Sequence, residues 1–78
     1  QGFYKKYGNV QTIGEEYYLS QREIEVMQLF MQGYTMSSIA KELFISENTV
    51  KTHTRRLYSK LGINKKQQLF NLVNGRTE

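Results

Sequence analysis

Three short stretches of this sequence share a pattern that is typical of a helix start. Each has an apolar residue, a Ser or Thr directly after it, and a second apolar residue five positions after the first. The hydroxyl caps a backbone N–H of the first turn, and the apolar pair fixes the entry of the chain. The three instances are Leu19-Ser20 with Ile24, Tyr34-Thr35 with Ile39, and Ile45-Ser46 with Val50.

Further signals set the helix bounds. Ser20 and Glu23 form a complete capping-box pattern, and Gly33 and Gly62 stand where left-handed C-terminal caps are needed. A fourth start is expected at Asn64, with Gln67 at the capping-box position. No stretch alternates as a strand does. The sequence therefore predicts an all-α, four-helix domain with helices at about 20–32, 36–43, 46–61 and 65–74.

Residues 1–18 hold three of the six glycines and several aromatics, without helical or strand periodicity. They are interpreted as a linker or tail, and residues 19–78 as the folded domain. The aromatics leave open that part of the segment docks on this domain or on a missing one. The chain lacks an initiator Met, which fits an excised fragment without proving one.

Positive charge is concentrated in the second half of the chain. Residues 1–45 carry four Lys or Arg against five Asp or Glu, whereas residues 46–78 carry seven against two. Such a basic segment indicates a polyanionic partner. A solvated helix face is the simpler alternative.

The third predicted helix separates apolar from polar side chains. At about 100° per residue, Val50, Leu57 and Leu61 share one side. The opposite side carries hydrogen-bonding groups and cations with no acid among them, as a helix in the DNA major groove requires. The expected base contacts are Asn48, Lys51, Thr52 and Arg55, and Ser59 lies on the same side.

Several function classes find no support in the sequence. A chain of 78 residues is one domain, and without Cys and with one His it offers no disulfide or metal site. No apolar run approaches the roughly 20 residues of a membrane span, so a cytoplasmic protein is expected. The carboxylates have no acid–base partner, so neither enzyme activity nor a cofactor is expected. His53 falls beside Val50 and Leu57, which favours a structural role.

Many positions together resemble the LuxR-type helix-turn-helix domain over about residues 19–73. They are Leu19-Ser20, Arg22-Glu23-Ile24-Glu25-Val26, Gly33, Thr35, Ile39-Ala40, Leu43, Ile45-Ser46, Thr49-Val50-Lys51, His53 and Lys60-Leu61-Gly62. The resemblance implies a DNA-binding domain of a bacterial transcription regulator that binds paired half-sites as a dimer. It also implies a receiver or sensor domain N-terminal to this one.

The resemblance and the charge pattern together suggest two further sets of site residues. From the family, Lys51, Thr52 and Arg55 would face bases, while Thr35, Ser46 and Thr49 would approach phosphates. From charge, Arg56, Lys60, Lys65 and Lys66 are expected at phosphates. Lys65-Lys66 replaces the usual Asn-Arg pair of the family, and Leu69 replaces a small residue. A dimer interface is expected on a broad apolar arc, with closure of the core as the alternative: Leu69, Phe70, Leu72 and Val73.

Two other functions stay open at this point. A region-four-like domain of a sigma factor also binds promoter DNA, but the Lys51-Thr52-His53 and Lys60-Leu61-Gly62 stretches favour the LuxR-type interpretation. The other is a helical dimerisation or interaction module without DNA binding. Double-stranded DNA and a second copy of the chain are the expected partners, and RNA polymerase is a further candidate.

Overall fold

A computed structural model describes residues 10–75 as helices joined by short turns. Within the described residues, helix α1 covers residues 10–16. The helices that follow are α2 (Gln21–Met31), α3 (Met36–Leu43), α4 (Glu47–Leu61) and α5 (Lys66–Gly75). There is no strand among these residues. The predicted fold class is confirmed, and the bounds of the four predicted helices agree within one residue.

The three predicted helix starts are confirmed by their hydrogen bonds. The hydroxyls of Ser20, Thr35 and Ser46 each accept the backbone N–H three residues later, in each case at 3.1 Å. In α2 the Glu23 carboxylate also accepts the Ser20 N–H at 2.8 Å, which completes the predicted capping box. These caps satisfy donors that have no partner inside the helix.

The helix ends use left-handed residues, and only two of these are glycine. Gly33 (φ 95°) and Gly62 (φ 72°) take the conformation that the sequence predicted for them. Phe44 (φ 59°) ends α3 and Tyr18 (φ 56°) follows α1 in the same conformation. That conformation costs an L-residue with a side chain about 1–2 kcal/mol. The turn before α4 therefore carries backbone strain that the turn after it does not.

The start of α5 differs from the sequence prediction. The helix begins at Lys66, and Gln68 rather than Gln67 closes its N-terminus. The Gln68 side-chain oxygen accepts the backbone N–H groups of Asn64 at 2.9 Å and Lys65 at 3.1 Å. The Gln67 side chain instead donates to Asn71 at 3.2 Å. With the cap one residue later than predicted, the glutamine at the third helical position is Gln68.

Part of the segment before residue 19 docks on the domain, a possibility that the sequence left open. Residues 10–16 form a helix, Ile13 is fully buried in the core, and Leu19 N–H donates to the Gly14 carbonyl at 2.9 Å. A Cβ on Gly14 would lie 2.8 Å from Ile24 Cδ1, so α1 packs directly on α2. One fully buried side chain in so short a helix gives no visible periodicity. Residues 1–9 and 76–78 lie outside the described residues.

Helix α4 occupies the centre of the domain because both α2 and α3 pack against it. Its Val50 and Leu57 are fully buried, and Leu61 is nearly so. The side chains that enclose them are Ile13, Val26, Met27, Phe30, Ile39, Ala40, Leu69 and Val73. Burial of one side of α4 fixes which side faces solvent.

Candidate nucleic-acid interface

The solvent side of α4 carries the residues that were predicted to read DNA. Asn48, Lys51, Arg55 and Ser59 are exposed, opposite the buried Val50 and Leu57. The helix has 15 residues, which gives it a length of about 22 Å. This is long enough to lie in a major groove about 12 Å wide with its N-terminal half toward the bases.

The cations of this face are not neutralised by the protein itself. Within residues 10–75, the side chains of Lys51, Arg55 and Arg56 form no ion pair or hydrogen bond. Glu47, the acidic residue of α4, lies in its first turn, where a negative charge favours the helix dipole. The exposed face is therefore positive along its length and its donors are free to bind an acceptor.

Thr52 differs from the other predicted base-reading residues. Its side chain is half-buried, and its hydroxyl donates to the Asn48 carbonyl at 3.1 Å. Because that hydroxyl is used inside the helix, the methyl group is the part of Thr52 left for an outside contact. Apolar contact with a thymine methyl is one of the ways in which proteins read bases.

Paired hydroxyls stand at the N-termini of both α3 and α4. Thr35 Oγ1 lies 3.2 Å from Ser38 Oγ, and Ser46 Oγ lies 2.9 Å from Thr49 Oγ1. Each pair sits where the positive end of a helix dipole favours an anion. Three of these residues were predicted from the sequence as phosphate contacts and Ser38 was not, although its position three residues after Thr35 fits a capping pattern.

Two exposed lysines precede and open α5. Lys65 forms no side-chain contact in the described part of the chain, whereas Lys66 Nζ lies 5.0 Å from the centroid of the Phe30 ring. That distance is within the range of a cation–π contact, which holds the ammonium near the surface of α2. Both lysines remain accessible to a phosphate.

Lys60 has a different environment from the one that its charge suggested. Its ammonium donates to Glu23 Oε1 at 2.8 Å and to the Tyr18 carbonyl at 3.0 Å. The side chain of Glu23 is only 3% exposed and that of Lys60 is 39% exposed. Lys60 therefore forms an internal ion pair in this structure, and its contact with a phosphate stays a prediction.

The Glu23 carboxyl is held in its charged form by this arrangement. Burial raises the pKa of Glu23, but hydrogen bonds from the Lys60 ammonium and the Ser20 N–H, with the Lys60 charge, lower it below the usual 4.5. The carboxylate is therefore charged at neutral pH, because it gains more from its donors than it loses by burial.

The four residues expected at a dimer interface have two different roles. Leu69 and Val73 are buried in the core of their own chain, because the side of α5 that carries them packs against that core. Phe70 and Leu72 are half-buried and keep some surface accessible. Only Phe70 and Leu72 therefore remain available from this set to a second copy.

Two further side chains of α4 are partly buried, those of His53 and Tyr58. His53 is half-buried, as its helical position predicts, and its Nδ1 has no hydrogen-bond partner among the described residues. Burial raises the pKa of Tyr58, so its phenol stays protonated. Residues 10–75 contain no group of three His, Cys, Asp or Glu side chains placed to hold a metal. No described helix is both long enough and apolar enough to cross a membrane.

Comparison with known proteins bears directly on this surface. The profile described as "Bacterial regulatory proteins, luxR family" matches residues 17–73. Two relatives are the HTH-type transcriptional regulators MalT of Yersinia pestis (strain Pestoides F) and of Serratia proteamaculans (strain 568), each 46% identical over 50 residues. The matched part is 64% of this chain and 6% of each relative.

No solved structure matches this chain significantly. The family match nevertheless covers all of α2, α3 and α4, including the exposed basic face and both hydroxyl pairs. It favours a transcription regulator over the sigma-factor alternative. The chain belongs to the luxR family of bacterial regulatory proteins.

Proposed function

We propose that this domain binds double-stranded DNA in a sequence-dependent way, with α4 in the major groove. The observation that carries the proposal is the exposed face of α4, where Lys51 and Arg55 have no partner within the described chain. Arg and Lys donate to guanine O6 and N7 from such a position, and Asn48 can pair with adenine. Thr52 adds its methyl group as an apolar contact.

A second set of residues holds the domain on the DNA backbone. The hydroxyls of Thr35, Ser46 and Thr49 stand at helix N-termini, where backbone N–H groups also point outward. Arg56, Lys65 and Lys66 supply exposed charge around the proposed groove contact. Such contacts position a protein on DNA without reading its sequence.

The domain acts, in this proposal, as the DNA-binding part of a cytoplasmic regulator without enzyme activity. The 50 matched residues are 6% of the length of the MalT relative, so a sensing function would reside in other parts of such a protein. A second copy would bind through α5, where Phe70 and Leu72 keep accessible surface. Two copies related by a two-fold axis would address half-sites about one turn of DNA apart.

Selection of sites from a random duplex pool tests this function. Lys51→Ala and Arg55→Ala are compared with wild type at one moderate salt concentration, and Lys41→Ala, an exposed lysine on α3, is the control. We expect enrichment of paired half-sites by wild type and by the control, and a weakened or altered preference for the two α4 variants. Equal enrichment by all four chains would contradict the proposed face.

A protein-interaction module is the second candidate, and two exposed aromatics favour it. Phe44 is 93% exposed and Tyr18 is 85% exposed, the only large hydrophobics so exposed among the described residues. This function predicts no enriched duplex and no salt-dependent affinity for DNA. By contrast, each neutralised phosphate would contribute about −0.9 to the log–log salt slope.

A further inference from the structure

The strongest unexplained feature is a hydrogen-bonded cluster at the corner between α1 and α2, which we call the corner network: Tyr18, Ser20, Glu23 and Lys60. Glu23 Oε1 accepts both the Ser20 N–H and the Lys60 ammonium, each at 2.8 Å. Lys60 also donates to the Tyr18 carbonyl at 3.0 Å. Thus one lysine near the end of α4 binds the first turn of α2 and the turn between α1 and α2.

The corner itself is fixed in place by packing. The Leu19 N–H donates to the Gly14 carbonyl at 2.9 Å, and Tyr18 keeps a left-handed conformation at φ 56°. Ile13 is fully buried in the core, and Gly14 lies against Ile24 with no space for a Cβ. Lys60 is therefore bound to a rigid support and not to a loose loop.

The position of Lys60 on α4 gives this support a consequence for DNA binding. Lys60 lies in the last turn of α4, one residue before its end. Arg55 is five residues earlier, which corresponds to about 7.5 Å along the helix axis. A bond from the last turn to α2 limits both the rotation of α4 about its axis and the tilt of that end. Either movement would displace the exposed donors relative to base edges.

We propose that Lys60 is a positioning residue, not a DNA contact, and that the corner network sets the angle at which α4 enters the groove. This inference rests on the proposed function. It also makes α1 and the corner part of the DNA-binding unit, so that the unit begins before residue 19.

The alternative role, a phosphate contact, has a distinct signature. A lysine that neutralises a phosphate contributes about −0.9 to the slope of log affinity against log salt. A positioning lysine leaves that slope unchanged and alters the ratio of specific to non-specific affinity. Glu23 separates the two roles further, because its carboxylate is buried and cannot itself favour a phosphate.

The test measures the affinity of the full chain for a selected duplex and for an unrelated duplex across a range of salt. The variants are Lys60→Met, Lys60→Arg, Glu23→Gln and the double variant Glu23→Gln/Lys60→Met. Lys65→Met is the matched control, since Lys65 is an exposed cation without a contact in the described chain. Urea unfolding identifies conditions under which every variant is folded, and all affinities are measured there.

For the positioning role, we expect Lys60→Met and Glu23→Gln each to reduce the specific-to-non-specific ratio by about 5-fold or more, equivalent to about 1 kcal/mol. The slopes of log affinity against log salt of these two variants stay at the wild-type value. The double variant has an affinity ratio no lower than that of the more affected single variant. Lys60→Arg restores the wild-type ratio. For Lys65→Met, the slope of log affinity against log salt becomes shallower by about 0.9, and the specific-to-non-specific affinity ratio stays at the wild-type value.

Two results would overturn the positioning role while wild type still selects DNA. One is a salt slope for Lys60→Met that falls like that of Lys65→Met. The other is a specific-to-non-specific affinity ratio in Lys60→Met and Glu23→Gln that equals the wild-type ratio. In that case the ion pair would contribute only to the stability of the fold. Absence of any duplex preference in wild type would instead overturn the proposed function and the positioning role with it.

Discussion

The two ends of α4 differ in how their lysines are bound. At the N-terminal end Asn48 and Lys51 are exposed, and the Lys51 side chain has no partner within the described residues. At the C-terminal end Lys60 donates to the Glu23 carboxylate and to the Tyr18 carbonyl. Both ends carry a lysine on the same helix, yet only one lysine is free. Charge on an exposed helix therefore does not by itself leave a side chain free to bind a ligand. The ammonium of Lys51 has no partner within the described residues, whereas that of Lys60 is bound within the chain.

The largest expected effect on folding is at the fixed end. Glu23→Ala removes a buried carboxylate that holds Lys60 and caps α2, and we expect the free energy of unfolding to fall by about 2–3 kcal/mol. Glu47→Ala removes an exposed acid at the other end and should change it by no more than about 0.5 kcal/mol. Urea unfolding with a constant m-value checks both, and equal losses of unfolding free energy would contradict the proposed difference between the two ends of α4.

At the free end the effect is on binding and not on folding. Lys51→Ala and Arg55→Ala should each weaken affinity for a selected duplex by about 10- to 100-fold, because a good base contact contributes about 1–3 kcal/mol. Their unfolding free energies should stay within about 0.5 kcal/mol of wild type. A large loss of stability in either variant would show that these side chains have contacts in the folded chain.

Substitutions in the two turns that flank α4 should have smaller effects on stability, and of opposite sign. Gly62→Ala places a side chain at φ 72° and should destabilise the fold by about 1 kcal/mol. Phe44→Gly removes a 93% exposed side chain at φ 59° and should stabilise it by about 0.5 kcal/mol. Thermal unfolding of the two variants tests this, and destabilisation by Phe44→Gly would reveal a contact of the phenyl ring.

The smallest expected effect is a pH dependence confined to the fixed end. The pKa of Glu23 is lower in the folded chain than its usual value of 4.5. Its contribution to stability is therefore present above that value and is lost as the pH falls through the lower, folded-state pKa. Between neutral and acidic pH, the free energy of unfolding of Glu23→Gln should fall less than that of wild type, because the variant has no carboxylate at this position. Parallel curves for the two chains would contradict the assignment.

The local features of the fold were predictable, and the long-range ones were not. Ser20, Thr35 and Ser46 cap their helices through bonds to residues three positions away, so their patterns are visible in the sequence. Helix α1 depends on the burial of Ile13 by other elements. No local pattern identifies a contact between Lys60 and Glu23, which are 37 residues apart.

The same distinction applies to the candidate site. The helical spacing of Lys51 and Arg55 placed them on the exposed face, because their orientation depends only on which side of α4 is buried. Charge alone grouped Lys60 with the phosphate contacts, since a sequence does not show which carboxylate an ammonium will bind. Leu69 and Val73 likewise look available until the packing of α5 is known.

Base reading by α4 is tested most directly by the affinity of wild type, Lys51→Ala, Arg55→Ala and Lys65→Ala for every single-base variant of one selected duplex. We predict that Lys51→Ala and Arg55→Ala each lose discrimination at one or two base pairs and keep it elsewhere. Lys65→Ala should weaken binding by the same factor for all variants. A uniform loss for Lys51→Ala and Arg55→Ala would contradict base reading by the exposed face of α4.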